Sequence, residues 1–198
     1  MMKQITEPSR VRGELAWILG VMCGDGCLEN HGRTHRISLN TTQKEFGKEF
    51  VNNINKIFHL KEKFNERIVT NNNNSRYYKI QIGGQQLCSF FLKIGKFGCF
   101  KWRVPLDIIN GNKKIKQGFL RGFYDSEGSI NTYREKYKKI RAVSVNKKGL
   151  KEVSNLLKDN GINVNLIKEK NCYSLNIYKK NHIGAFLRNI GFSFKNIG

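Results

Sequence analysis

Residues 17–26 read Trp17-Ile18-Leu19-Gly20-Val21-Met22-Cys23-Gly24-Asp25-Gly26, and residues 119–128 read Phe119-Leu120-Arg121-Gly122-Phe123-Tyr124-Asp125-Ser126-Glu127-Gly128. Each is an apolar, glycine-bearing segment of helical length that closes with a small residue, a carboxylate and a glycine. The carboxylates, Asp25 and Glu127, stand 102 positions apart. One such segment alone reads as a core helix followed by a cap and turn; two in register ask for more. Small residues recur four apart in both, Gly20 and Gly24 in the first, Gly122 and Ser126 in the second. Glycine inside a helix costs about 0.5–1 kcal/mol relative to alanine, and close approach of two helix backbones is the compensation this spacing offers. The stretch Glu14 to Cys23 is apolar nearly all round, so burial on more than one side is expected. An acid at a helix C-terminus opposes the macrodipole, and two such acids brought together repel. A divalent cation offsets both costs.

Working outward, the whole chain repeats. In the first half an alternating run, Arg33 to Thr42, places Ile37 and Leu39 on one face of a strand. Thr42-Gln43-Lys44-Glu45 fits a capping box before a helix whose Phe46, Phe50, Ile54 and Phe58 recur at fours. A strand over Tyr77 to Ile82 turns Ile80 and Ile82 inward, and a helix from Leu87 to Ile94 is expected to cap at Gly95. The second half keeps this order: a strand over Lys138 to Val145, a helix carrying Leu150, Val153 and Leu157 that stops at Asn160-Gly161, a strand over Cys172 to Tyr178, and Phe186 to Gly191 echoing Phe91 to Gly95. The expected class is α+β, with two pseudo-symmetric α-β-β-α-β-β-α repeats of antiparallel sheet. Residues 1–100 form the first repeat, 101–114 (with Pro105 and Gly111) a linker and 115–198 the second. Asn71 to Asn74 reads as a polar loop tip.

The chain has 198 residues, 36 Lys+Arg against 15 Asp+Glu, and a formal net charge of +21. That balance implies an anionic partner, and its spread along the chain argues for a folded basic surface. Nucleic acid leads. A membrane is the rival, but there is no long apolar span and no basic amphipathic helix with a broad apolar face. The N-terminus lacks the apolar core of a signal peptide, so an intracellular protein is expected, not a secreted one. It would sit with its DNA in cytoplasm, nucleoid or organelle matrix. Five cysteines without zinc-type spacing read as reduced, mostly buried thiols. Cys23 and Cys27 make a poor metal pair, because Gly24-Asp25-Gly26 should end the helix between them.

The two quoted segments resemble the paired motifs of a LAGLIDADG homing endonuclease, of the single-chain, intron-encoded type. Pro105, Phe119-Leu120-Arg121-Gly122 and the repeat order extend the likeness to nearly the whole chain. The resemblance implies that the motif helices form the interface between halves, and that each half adds a four-stranded antiparallel sheet to a saddle over the DNA major groove. It implies an Mg²⁺-dependent, site-specific endodeoxyribonuclease, with Mn²⁺ as a substitute metal. Asp25 and Glu127 would be direct ligands, with the carbonyls of Gly24 and Ser126 as further ones, and hard oxygens suit these ions. Gln43 matches a position that orders water around the metals, with Asn146 and Lys147 as second-half counterparts and Lys44 aligned to Lys147. Helix capping is the competing role for Gln43 and Asn146. Asp125, about 200° around a helix from Glu127, should face elsewhere.

If Ile37, Leu39, Ile80 and Ile82 face the core, then Arg36, Ser38, Asn40, Thr42, Lys79 and Gln81 face outward together. These types contact base edges in the major groove. The second half offers Lys138, Arg141, Asn176, Tyr178 and the Tyr133 to Lys139 stretch, with Val143 and Val145 on the same outward face. Arg33, Arg67 and Arg134, in loops, suit phosphates, and Lys44 is grouped with the DNA-binding residues. Because the halves differ, a monomer on a long asymmetric duplex is expected, freestanding from any intein. The rival functions are an RNA-binding intron maturase without nuclease activity and a DNA-binding regulator on the same scaffold.

Overall fold

In the computed structural model, which describes residues 4–65, 68–70, 76–133 and 137–194, the first quoted segment forms α1 (Gly13–Cys23). Every residue from Leu15 to Cys23 is buried, as its all-round apolarity demands. The chain then runs β1 (Gly26–His31), β2 (Thr34–Thr41), α2 (Lys44–Phe58), β3 (Ile68–Thr70), β4 (Arg76–Gly83) and α3 (Gln85–Ile94). A short α4 (Leu106–Ile109) leads into α5 (Lys113–Glu127), followed by β5 (Gly128–Tyr133), β6 (Tyr137–Ser144), α6 (Lys147–Asp159), β7 (Asn165–Lys168), β8 (Tyr173–Ile177) and α7 (Lys180–Asn189). Helix α5 therefore begins inside the stretch expected as linker, with the Asn112 side chain accepting from Ile115 N at its start.

The two sheets have matching orders, β1-β2-β4-β3 and β5-β6-β8-β7, and every pairing is antiparallel. The central strands are the four that alternation picks out. The outer strands are either short (β3, β7) or mostly polar (β1, β5), because an edge strand pairs on one side and packs little. One face of each sheet is core: Ile37, Leu39, Ile80 and Ile82 in the first, Ile140, Ala142, Leu175 and Ile177 in the second, all nearly inaccessible. Against them pack Phe46, Phe50, Ile54 and Phe58 of α2, and Leu150, Val153 and Leu157 of α6. A single apolar cluster runs through both halves.

Helices α1 and α5 join the halves. A methyl at Gly20 would lie 2.1 Å from the Phe119 carbonyl oxygen, and one at Gly122 would lie 2.0 Å from that of Trp17. Both are backbone atoms, so glycine is obligatory at the crossing. Gly118 lies against Gly13 and Gly24 against Ser126, so residue numbers on the two helices rise together: they run in the same direction and end side by side. The closing segment then folds back, and Phe194 meets Trp17 and Phe46 at ring-centroid distances of 6.4 and 5.6 Å.

Two expectations need correction. No capping box forms at Thr42-Gln43-Lys44-Glu45: α2 starts at Lys44, its N-cap Gln43 makes no side-chain cap bond, and Gln43 N instead donates to Thr41 Oγ1 at 3.0 Å. Gly95 caps α3 as expected, in extended conformation. Of the five free cysteines only Cys23 and Cys88 are buried, while Cys27 and Cys99 are exposed. Burial pushes the Cys88 thiol up to about 11 and raises that of Cys23 further.

Candidate active site and nucleic-acid interface

Both acids stand where a motif helix hands over to the first strand of its sheet. Helix α1 stops at Cys23, and Asp25 follows Gly24 as an exposed residue just before β1. Helix α5 continues through Glu127, half-buried, and passes directly into β5. A methyl on Gly24 would lie 2.6 Å from Ser126 Cβ and 3.1 Å from Glu127 Cγ. The missing side chain at Gly24 is therefore what lets the Glu127 side chain come against the backbone next to Asp25. Neither helix has a basic residue in its last turn, so no side chain of that turn offsets the unfavourable place of an acid at a helix C-terminus.

The donor types suit a hard divalent cation. Asp25 and Glu127 stand at neighbouring helix C-termini, which present carbonyl oxygens, and oxygen donors suit Mg²⁺, Mn²⁺ or Ca²⁺. Among the described residues no group of three or more His, Cys, Asp or Glu side chains could hold a metal. Water, backbone carbonyls or substrate oxygens would have to complete a shell around Asp25 and Glu127. Asp125 points away, as its helical position requires. It is 3 % exposed and accepts from Trp17 Nε1 at 2.8 Å and Ser193 N at 2.7 Å, tying α1 to the closing segment.

Gln43 and Asn146 occupy matched places and differ in what holds them. The Gln43 Oε1 is buried with no hydrogen-bond partner among the described residues, an uncommon state for a polar atom. Asn146 is fully engaged: its Oδ1 accepts from Gly149 N at 3.1 Å and its Nδ2 donates to the Trp102 carbonyl at 2.6 Å. Of the two roles open to Asn146, the structure places it in capping. Lys147, exposed at the start of α6, holds its Nζ 5.4 Å from the Tyr173 ring centre.

The outward face of the first sheet carries Arg36, Asn40, Lys79 and Gln81, with Asn40 exposed and the other three half-buried. Arg33 and Thr42 are exposed beside it, and Lys44 is half-buried. Ser38 shares this face but is 7 % exposed, covered by longer neighbours. In the second sheet Lys138 is exposed, Arg141 half-buried and Tyr178 47 % exposed, with Lys139 Nζ 5.7 Å from the Tyr178 ring centre. Val143 lies half-buried on the Arg141 face, as alternation expects. Asn176 departs from expectation: it is 2 % exposed, its Nδ2 donates to Ser174 Oγ at 2.8 Å, and its Oδ1 is buried without a partner among the described residues. A short side chain opposite Arg141 is overgrown by its neighbours. Arg67, Arg134 and the Asn71–Asn74 tip lie outside the described residues. Sequence reasoning missed Glu29 and Glu169, which pair with Arg36 and Arg141. A carboxylate on a basic strand face was the available signal.

Comparison with known proteins agrees with this architecture. The WhiA LAGLIDADG-like domain model matches residues 15–85, and the LAGLIDADG-like domain model matches residues 114–191. An uncharacterized protein of Methanocaldococcus jannaschii is 28% identical over 178 residues, covering 85% of this chain and 61% of the relative. The ribonucleoside-diphosphate reductase NrdEB subunit alpha of Bacillus subtilis is 25% identical over 158 residues, which span 75% of this chain and 14% of that protein. The chain thus spans 61% of the first relative's length and 14% of the second's. Among solved structures, I-DmoI in complex with DNA and Mn superposes with a TM-score of 0.64 at 21% identity, covering 93% of this chain and 98% of that one. The N-terminal LAGLIDADG domain of DUF199/WhiA gives 0.63 at 20% identity, covering 100% and 97%. Two LAGLIDADG-like domains in one chain, packed helix against helix, give this protein the two-domain LAGLIDADG fold that I-DmoI and the WhiA domain share.

Proposed function

We propose that the protein is a sequence-specific, divalent-metal-dependent double-strand DNA endonuclease of the intron-homing kind, acting as a monomer on a long asymmetric site in the compartment that holds its DNA. The observation that carries this reading is that α1 and α5 end side by side, with Glu127 against Gly24 and Asp25 the next residue in the chain. A pure binder has no evident need for two acids at adjacent helix C-termini in a chain of net charge +21. Asp25 and Glu127 would hold Mg²⁺ or Mn²⁺ with the Gly24 and Ser126 carbonyls beside them. Such an ion, when bound, supplies phosphate polarisation and a lowered water pKa. Gln43, with a buried acceptor to spare, would orient water, and Lys147 would add positive charge near the phosphates. The likeness to I-DmoI bound to DNA with manganese supports both partners.

A second reading, nucleic-acid binding without cleavage, draws on the comparable likeness to the WhiA domain. It covers a DNA-binding regulator and a maturase that binds intron RNA. One experiment separates the two. The joined sequences flanking the coding locus are incubated as duplex with protein and Mg²⁺, alongside Asp25→Asn and Glu127→Gln. Cleavage by the parent chain, abolished in both variants while binding persists, is the expected result. Binding without cleavage by the parent chain would sink the nuclease reading.

A further inference from the structure

Each sheet presents one arginine on its outward face, and each arginine is held by a carboxylate. In the first sheet Glu29 of β1 lies directly opposite Arg36 of β2, and Arg36 Nη2 donates to Glu29 Oε2 at 2.6 Å. The Gln81 carboxamide, in the orientation its surroundings favour, brings its oxygen within 3.3 Å of Arg36 Nε and Nη1. The β4 residue opposite Arg36 is Gly83, so no side chain crowds it from that strand. In the second sheet Arg141 Nη2 donates to Glu169 Oε2 at 2.5 Å, across from the turn that follows β7. Arg36 holds the Glu29 carboxyl below the usual carboxylate range, and Arg141, aided by Ser174, does the same for Glu169. Both acids are therefore charged at neutral pH.

We infer that Glu29 and Glu169 are positioning residues that fix the guanidinium groups of Arg36 and Arg141 for reading one guanine in each half of a DNA target. This rests on the reading of the outward sheet faces as the DNA interface. A carboxylate on such a face repels phosphate and lowers general affinity, and an ion pair open to solvent on one side adds little stability. Neither cost nor benefit explains two such acids in a chain with only 15; geometry does. Guanidinium carries five N–H donors, so the contacts to Glu29 and Gln81 leave one donor free on each terminal nitrogen of Arg36. A pair of donors held in a fork matches the O6 and N7 acceptors of guanine. Holding the fork before DNA arrives also removes rotamer entropy from the cost of binding.

The test is selection from a randomised duplex pool in Ca²⁺ or EDTA, so that cleavage plays no part. The parent chain should enrich a motif with one strongly preferred G·C pair in each half. Arg36→Lys and Arg141→Lys, which keep charge but lose the fork, should each erase one of those preferences and leave the salt dependence unchanged. Glu29→Gln should weaken the Arg36 preference about tenfold, and Glu169→Gln the Arg141 preference, with other positions intact. The proposal is overturned if the glutamine variants keep both preferences, or if they weaken all sequences equally while lowering the melting temperature, as a purely structural pair would. A parent pool without sequence preference overturns both the proposal and the interface reading. Sequence preference without cleavage in Mg²⁺ removes the nuclease alone and leaves the positioning role supported.

Discussion

The two halves place an ion pair at the same point with its charges exchanged. In the first, Lys56 near the end of α2 reaches Glu14 at the start of α1 at 2.6 Å; in the second, Lys116 near the start of α5 reaches Asp159 at the end of α6 at 2.6 Å. The matched positions are 102 and 103 apart. The duplicated backbone thus keeps the geometry of the contact while the side chains swap roles. Elsewhere the halves diverge. Cys23 and Asp125 are also 102 apart: Cys23 lies buried, its Sγ donating to the Arg103 carbonyl at 3.6 Å, whereas Asp125 is a buried carboxylate held by two N–H donors. At the matched helix starts, Gln43 retains an acceptor with no partner among the described residues, while Asn146 is consumed by the cap of α6 and the Trp102 carbonyl. One half has spent its matched polar group on structure, and the other has not.

The comparison breaks most visibly at the shared crossing. Gly122→Ala drives a methyl into the Trp17 carbonyl, a backbone clash that no rotamer relieves. It should cost about 3 kcal/mol or more, and a denaturant melt like that of the parent chain would refute the close crossing. Asp125→Asn keeps the shape but turns one acceptor of this buried carboxylate into a donor facing an N–H, so about 2 kcal/mol is expected. An unchanged melt would mean the Trp17 tie carries no weight. Asn146→Ala removes a cap and should cost about 1–2 kcal/mol, whereas Gln43→Ala should change stability by less than about 0.5 kcal/mol. If the nuclease reading holds, Gln43→Ala instead accumulates singly nicked duplex, seen on a denaturing gel. Equal stability losses in the two variants would erase the asymmetry.

The smallest effect concerns pH. The Lys56 hydrogen bond holds the Glu14 carboxyl below its ordinary 4.5. The folded state therefore binds that proton less tightly than the unfolded one. The resulting stability is complete above 4.5 and is lost as pH falls through the depressed folded value. On so exposed a pair it amounts to at most about 0.5 kcal/mol. Urea melts of the parent chain and Lys56→Gln should converge as pH drops below 4.5; a gap that persists there would assign the effect to packing of the Lys56 stem.

What the sequence determined alone was whatever rests on periodicity and composition. Alternation picked out the four central strands, helical spacing picked out the core faces of α2 and α6, and the paired small residues pointed to two helices in contact. These features are local, or repeat at a fixed interval, so they survive in one dimension. The outer strands β1, β3, β5 and β7 were left unplaced because edge strands need little apolar pattern. Asn176 and Ser38 sit on the face alternation assigns, yet they are buried, since accessibility depends on how far neighbouring side chains reach. The return of Phe194 onto Trp17 and Phe46, the engagement of Asn146 by Trp102, and the two arginine–glutamate pairs were decided only in three dimensions. The first two join segments remote in sequence, and the arginine–glutamate pairs depend on strand register, so only the folded chain determines that they meet.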